Sequence, residues 1–227
     1  VTALQRRNSP IPGDRLLLVA LTVLIVSTPT VFLRTTIFPF YLSKLTVFWV
    51  AASVVVMVGV YRVVVLGVLD RGPRSLTVAS GAFISALVLT SVVSTQPWVA
   101  FMGLPVRGAG ALTYLFCLLL LHAVFGLPRR RSIEPLLWAF ACAHSLVVLY
   151  ALFQAYGLDP ISWGADAQHV GNLVFSTLGN ANFSSGYVAL TLPFLVWMAF
   201  GSPYPFVTKV AAGATVVASF ILVGLFA

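Results

Sequence analysis

Residues Leu45–Tyr61, LTVFWVAASVVVMVGVY, hold no charged side chain and no proline. Their apolar residues are continuous rather than alternating. Crossing a hydrocarbon core of roughly 30 Å takes about 20 apolar residues of helix. Backbone groups in lipid must bond internally, which leaves helices or closed barrels, and an unbroken run selects the helix. Outward from this run, which can extend to Leu69, similar runs lie at Leu16–Leu33, Leu76–Val93, Gly108–Val124, Pro135–Tyr156, Phe183–Phe200 and Phe206–Ala227. The sequence predicts an all-α, polytopic transmembrane helix bundle of about seven spans, forming a single transmembrane domain over residues 1–227.

Composition agrees. The 227 residues are 60% hydrophobic and 8% charged, whereas a soluble domain is about a quarter charged. Too few polar side chains are present to cover a globular surface in water. The net charge of +8 does not point to nucleic acid, because the basic residues sit between the apolar runs and form no aromatic-interleaved patch. Membrane lipids are the expected surroundings. Cys117 and Cys142 fall inside apolar runs and are expected to be small buried apolar residues, not a disulfide or a metal site.

Loop charges predict orientation. With the N-terminus cytoplasmic, the inner side holds Arg6, Arg7, Arg15, Arg62, Arg71, Arg74, Arg129, Arg130, Arg131 and Lys209, and the outer side Arg34, Lys44 and Arg107. That is ten of the 13 Lys and Arg against three, the positive-inside pattern. Arg62, near the inner end of its span, is expected to snorkel to the headgroups. The first run follows Arg6, Arg7 and Arg15, lacks a small-x-small cleavage site, and is expected to be a retained signal anchor. The start at Val1 and the end within SFILVGLFA are expected of a fragment, although Val1 is also compatible with an alternative start codon read literally. No internal repeat is visible.

Two outer segments stand out. Ser94–Arg107 carries Trp98 and Phe101, suited to an interfacial belt or a re-entrant hairpin. Gly157–Asn182 is the longest polar stretch, with Asp159, Asp166, His169 and a turn-forming Asn/Gly/Ser cluster. Long loops in compact proteins are more often functional than short ones.

Three stretches in these regions carry a resemblance. Met102–Thr113, MGLPVRGAGALT, presents Gly103, Arg107 and Gly110 as Gly-x-x-x-Arg-x-x-Gly. Tyr150–Trp163, YALFQAYGLDPISW, presents Gln154, Gly157, Asp159 and Pro160. Phe175–Pro193, FSTLGNANFSSGYVALTLP, presents Thr177, Gly179, Asn180, Asn182, Phe183, Gly186, Tyr187 and Pro193. In this order the stretches resemble the bacterial O-antigen ligase and polymerase superfamily. Ala151 replaces a common Gly, Ala181 a Pro, and Leu173 a frequent Arg.

The resemblance implies a membrane glycosyltransferase of the bacterial inner membrane, without cofactor or metal. It would move a glycan from undecaprenyl diphosphate to an acceptor on the outer face: lipid A-core, a protein or a growing polysaccharide. It also implies a larger bundle of around a dozen spans. The expected catalytic His and Arg residues would lie in a large outer loop after the region matched here, so the chain is expected to be an N-terminal portion, inactive alone.

The implied leaving group is a lipid diphosphate, which needs cations or helix N-termini to stabilise its charge. Arg107 suits phosphate through its bidentate fork, and the glycines around it would allow close backbone approach; an interfacial anchor is the plainer role. Gly179, Asn180, Asn182, Ser184 and Gly186 open the sixth run, where they can cap the helix or line an anion site.

His169 can serve as a base or simply sit in a loop, and His144, deep in the fifth run, can pack or function. His122 is expected to be interfacial. Asp159 and Asp166 can form an acid/base pair, but their loop sets no geometry. The rival is a multi-pass transporter or flippase-like permease. It accounts for the spans and for His144, and predicts broken half-helices or inverted repeats. A non-catalytic scaffold would leave the three stretches unexplained.

Overall fold

The computed structural model describes residues 11–35, 39–68, 72–104, 108–161, 163 and 174–226. Among them all regular structure is helical. The helices are α1 (Asp14–Thr30), α2 (Tyr41–Val64), α3 (Arg74–Val93), α4 (Pro97–Met102), α5 (Ala111–Phe125), α6 (Arg129–Ala155), α7 (Ala181–Val196) and α8 (Phe206–Phe226). A 3-10 turn at Ser176–Leu178 precedes α7, and a π-turn at Trp197–Gly201 follows it.

Each of the seven apolar runs forms helix. Five stretches are long and apolar enough to cross a membrane: Tyr41–Val64, Arg74–Val93, Ile133–Ala155, Ala181–Gly201 and Phe206–Leu225. This is the make-up of a multi-pass membrane protein. Helix α5 is apolar but has 15 residues, about 22 Å at 1.5 Å per residue. Helix α1 has 17 residues and ends at Thr30, short of the expected Leu33. Its end has a local cause, since the Leu33 amide donates to the Pro39 carbonyl (3.0 Å) rather than back to Pro29. Large apolar side chains face outward, Leu190 being 77% and Phe200 79% exposed. Water would penalise such surface at about 25 cal/mol per Å²; lipid does not.

The chain divides into two compact units, each drawn from separated segments. The first comprises Val1–Leu24 and Leu45–Leu136. Here Arg62 does not snorkel. It is buried and paired with Asp14, whose other oxygen accepts from the Ile11 amide (2.7 Å). An acidic partner one helix away holds the guanidinium inside. His122 Nε2 meets the Ser80 hydroxyl at 2.9 Å, tying α5 to α3. The Ser94–Arg107 segment contains α4, which packs against α3 and α5 and leaves Trp98 exposed.

The second unit comprises Ile25–Lys44 and Leu137–Ala227. Val147, Val148, Ala151, Val188 and Leu222 form one core cluster, and Ala141, Met198, Ala199 and Ala212 another. His144 is fully buried, with Nδ1 2.6 Å from the Thr191 hydroxyl and Nε2 2.8 Å from that of Ser219, so it links α6, α7 and α8. Both hydroxyls also reach their own helix backbones, Thr191 to the Tyr187 carbonyl and Ser219 to that of Thr215, each at 2.7 Å. They therefore keep partners without the imidazole. His144→Leu is expected to cost only about 1 kcal/mol, the scale of interhelical hydrogen bonds in membranes. Reversible unfolding in micelles measures it; a loss several times larger would contradict this account.

Cys117 and Cys142 are free but exposed, not buried as expected. An apolar run in a bilayer has a lipid-facing side as well as a core side, and composition does not distinguish them.

Candidate functional site

The second and third stretches meet in the second unit. Gln154, near the end of α6, is buried, and both ends of its amide are used. Its Oε1 accepts from the backbone amides of Phe175 (3.1 Å) and Ser176 (2.7 Å). Its Nε2 donates to Asp159 Oδ2 at 3.0 Å. These partners fix the orientation of the amide.

Asp159 is the hub. Besides Gln154 it accepts from the Tyr150 hydroxyl (3.1 and 3.2 Å to its two oxygens), the Trp163 indole (3.0 Å) and the Ile161 amide (2.9 Å). The loop therefore does fix Asp159. The sequence expectation missed this because the donors are spread over a helix end and a turn. Asp166 and His169 lie outside the described residues, as does Leu173.

Ser176 adopts a left-handed backbone (φ 54°), and its buried hydroxyl donates to the Val147 carbonyl at 2.7 Å. Thr177 donates to the Pro29 carbonyl at 2.8 Å. Lys44 Nζ donates to the Pro29 and Val31 carbonyls at 3.1 and 2.8 Å. A cation at the carbonyl end of α1 is favoured by the helix dipole. Lys44, expected as an outer-side charge, thus acts as a helix cap. Five rings enclose the network. Phe40 stacks on Trp163 (centroids 5.2 Å), Phe32 on Tyr150 (5.8 Å), and Phe175 packs edge-on to Trp163 (5.1 Å).

Gly179 is left-handed (φ 76°) and lies against the Phe40 ring. Asn180 is the N-cap of α7, its side chain accepting from the Asn182 amide at 2.8 Å. Ser184 is fully buried, and its hydroxyl donates to the Phe175 carbonyl at 2.9 Å. The exposed residues of the cluster are Asn182 and Gly186. Gly179, Asn180 and Ser184 hold the start of α7, while Asn182 and Gly186 face outward. Asn180→Ala is expected to lower stability by about 1 kcal/mol, the usual worth of an N-cap. Asn182→Ala is expected to stay within about 0.5 kcal/mol of the parent. Melting midpoints of the two variants, measured side by side, test the contrast.

Arg107 lies outside the described residues, but its flanks are described. The backbone at Gly103 (φ 87°) passes so close to the Gly108–Gly110 backbone that a Cβ there would stand 2.7 Å from the Ala109 and Gly110 nitrogens. The glycines of the first stretch thus permit a backbone crossing that side chains would block.

No family model, curated protein or solved structure matches this chain.

Among the described residues, no three His, Cys, Asp or Glu side chains come together as metal ligands would. Sequence reasoning marked Gln154 only as part of the second stretch, and Asp159 as part of it and as half of an acid/base pair with Asp166. It missed Lys44, Ser176, Phe32 and Phe40. The available signal was a Gln five residues before an Asp at the end of an apolar run. The donors to Gln154 come from amides 21 and 22 residues further on, which no local pattern reveals.

Proposed function

We propose that this chain forms the carrier-diphosphate side of an O-antigen ligase-type glycosyltransferase of the bacterial inner membrane, with a cytoplasmic N-terminus. The reaction moves a glycan from undecaprenyl diphosphate to lipid A-core, a protein or a growing polysaccharide. The observation that carries this reading is the occurrence of the three stretches in order. It is supported by the direct bonding of the second to the third, through Gln154 and the Phe175 and Ser176 amides. Such bonding accounts for why both stretches would be specified together.

On this reading the knot around Asp159 is a scaffold. It fixes the N-terminal turn of α7, whose exposed residues Asn182 and Gly186 face the donor. Arg107 neutralises charge on the departing diphosphate. The family places its catalytic His and Arg in an outer loop beyond these stretches.

The test reconstitutes the product of the complete reading frame in vesicles with undecaprenyl diphosphate-linked oligosaccharide and each acceptor class. Transfer is expected, and Arg107→Ala is expected to lower kcat/KM about a hundredfold, the loss of one donor that stabilises developing charge. Absence of transfer to every acceptor overturns the proposal.

The rival, a permease, draws on His144 within the bundle, since ionisable groups inside spans often mark transport pathways. Solute flux in the same vesicles, abolished by His144→Leu, would favour it.

A further inference from the structure

Within the first unit, two contacts set the register of α3 against α5. The Ser80 hydroxyl meets His122 at 2.9 Å, and the rings of Phe83 and Tyr114 meet edge-on with centroids 6.4 Å apart. The pairing order makes the two helices antiparallel. Counted from these contacts at 1.5 Å per residue to Val93 and to Ala111, α5 begins about 3–10 Å short of the level at which α3 ends. The chain leaving α3 must therefore turn back along the bundle before α5 can start. Helix α4, with six residues, is about 9 Å long and fits that descent. It packs against both α3 and α5. The close passage of Gly103 against Gly108–Gly110 pins its far end to the start of α5.

The chemistry of the segment agrees with a return into lipid. Ser94, Thr95 and Gln96 form a polar turn between two apolar stretches, and no side chain over residues 75–104 is charged. A helix lying in the headgroup plane needs a polar face. Helix α4, PWVAFM, has none, and a helix that is apolar all round is buried in protein or lipid. Trp98 is 70% exposed, so protein does not cover it. It stands one turn past Gln96, at the level where tryptophan is enriched in membrane proteins.

Irregular backbone survives at membrane depth only where protein buries it or water reaches it. The break between α4 and α5 meets the first condition. The Gly103 amide donates to the Val99 carbonyl and the Gly108 amide to the Leu104 carbonyl, each at 2.8 Å. The Thr113 hydroxyl donates to the Gly108 carbonyl at 2.6 Å. Gly108, Gly110 and Ala111 are buried.

We propose that α4 is a re-entrant half-span whose exposed face is covered by the acyl chains of the leaflet in which α3 ends. Ser94–Gln96 stand at the headgroups, and the glycine passage lies below the headgroup plane. The inference rests on the membrane bundle and is independent of glycan transfer.

Spin labels at single cysteines measure the depth. The full 227-residue chain, with Cys117→Ala and Cys142→Ala, carries Thr95→Cys, Leu104→Cys or Val88→Cys, all at exposed positions. In phospholipid vesicles, collision with oxygen and with a water-soluble nickel chelate reports the level of each label. Leu104→Cys is expected about 5–10 Å deeper than Thr95→Cys and level with Val88→Cys on α3. Labels at 95 and 104 that are equally shallow overturn the proposal, as does free access of the nickel chelate to 104. Should the cysteine variants not fold, the parent is cross-linked with a phospholipid carrying a photoreactive group midway along its acyl chain. Adducts on residues 97–104 support the half-span, and adducts confined to the long spans overturn it.

Discussion

Gln154→Ala is expected to destabilise the protein by about 3 kcal/mol, because each buried donor left without an acceptor costs about 1–3 kcal/mol. The change orphans the amides of Phe175 and Ser176 and removes one of the donors to Asp159. Ser176 is fully buried, so water does not readily replace the lost acceptor. Gln154→Glu separates this account from simple loss of volume. It keeps an acceptor for the two amides but sets a second carboxylate against Asp159, where a donor 3.0 Å away stood before. At neutral pH the like charges repel and the variant is expected to melt well below the parent. Melting midpoints in micelles at neutral pH give the result. A parent-like midpoint for Gln154→Ala would show that the knot does not hold the unit together.

Gly179→Ala is expected to be at least as damaging, about 3 kcal/mol, from two separate costs. The left-handed backbone (φ 76°) disfavours any Cβ, by about 1 kcal/mol or more. The added methyl also falls within the Phe40 ring, and overpacking a filled core costs about 1–3 kcal/mol. The costs separate in a double-mutant cycle with Phe40→Ala. Alanine removes the two Phe40 atoms nearest the added methyl but leaves the backbone strain, so the pair is expected to recover part of the loss and never all of it. Full additivity of the two substitutions would mean that the methyl and the ring do not meet.

These two positions also mark how far the sequence could be followed. The helices were legible because apolar runs without charge leave the backbone one solution in lipid. Gly179 and Asn180 were legible as a turn and a cap, since both act through their immediate neighbours. The burial of Arg62 was not, because Asp14 lies 48 positions away and a run of hydropathy does not report partners. The end of α1 was missed because hydropathy does not show the Leu33 amide turning to the Pro39 carbonyl, nor Lys44 and Thr177 taking the carbonyl of Pro29. Asp159 was visible as a loop carboxylate, but its fixed geometry depends on Tyr150, Gln154 and Trp163 acting together. Side-chain exposure within spans, as at Cys117 and Cys142, depends on which helix face meets a neighbour.

The carbonyl of Pro29 has a consequence for biogenesis. Its two side-chain donors, Lys44 and Thr177, leave the ribosome at very different times. Lys44 follows after 15 residues and Thr177 after 148. At 5–20 residues per second the second interval is about 7–30 s. Through that time the emerging first helix is capped by the lysine alone, and the later helices reach the membrane before the threonine joins it. Trapping nascent chains of increasing length, with a cysteine pair reporting the approach of α1 to the 176–178 turn, would time this closure.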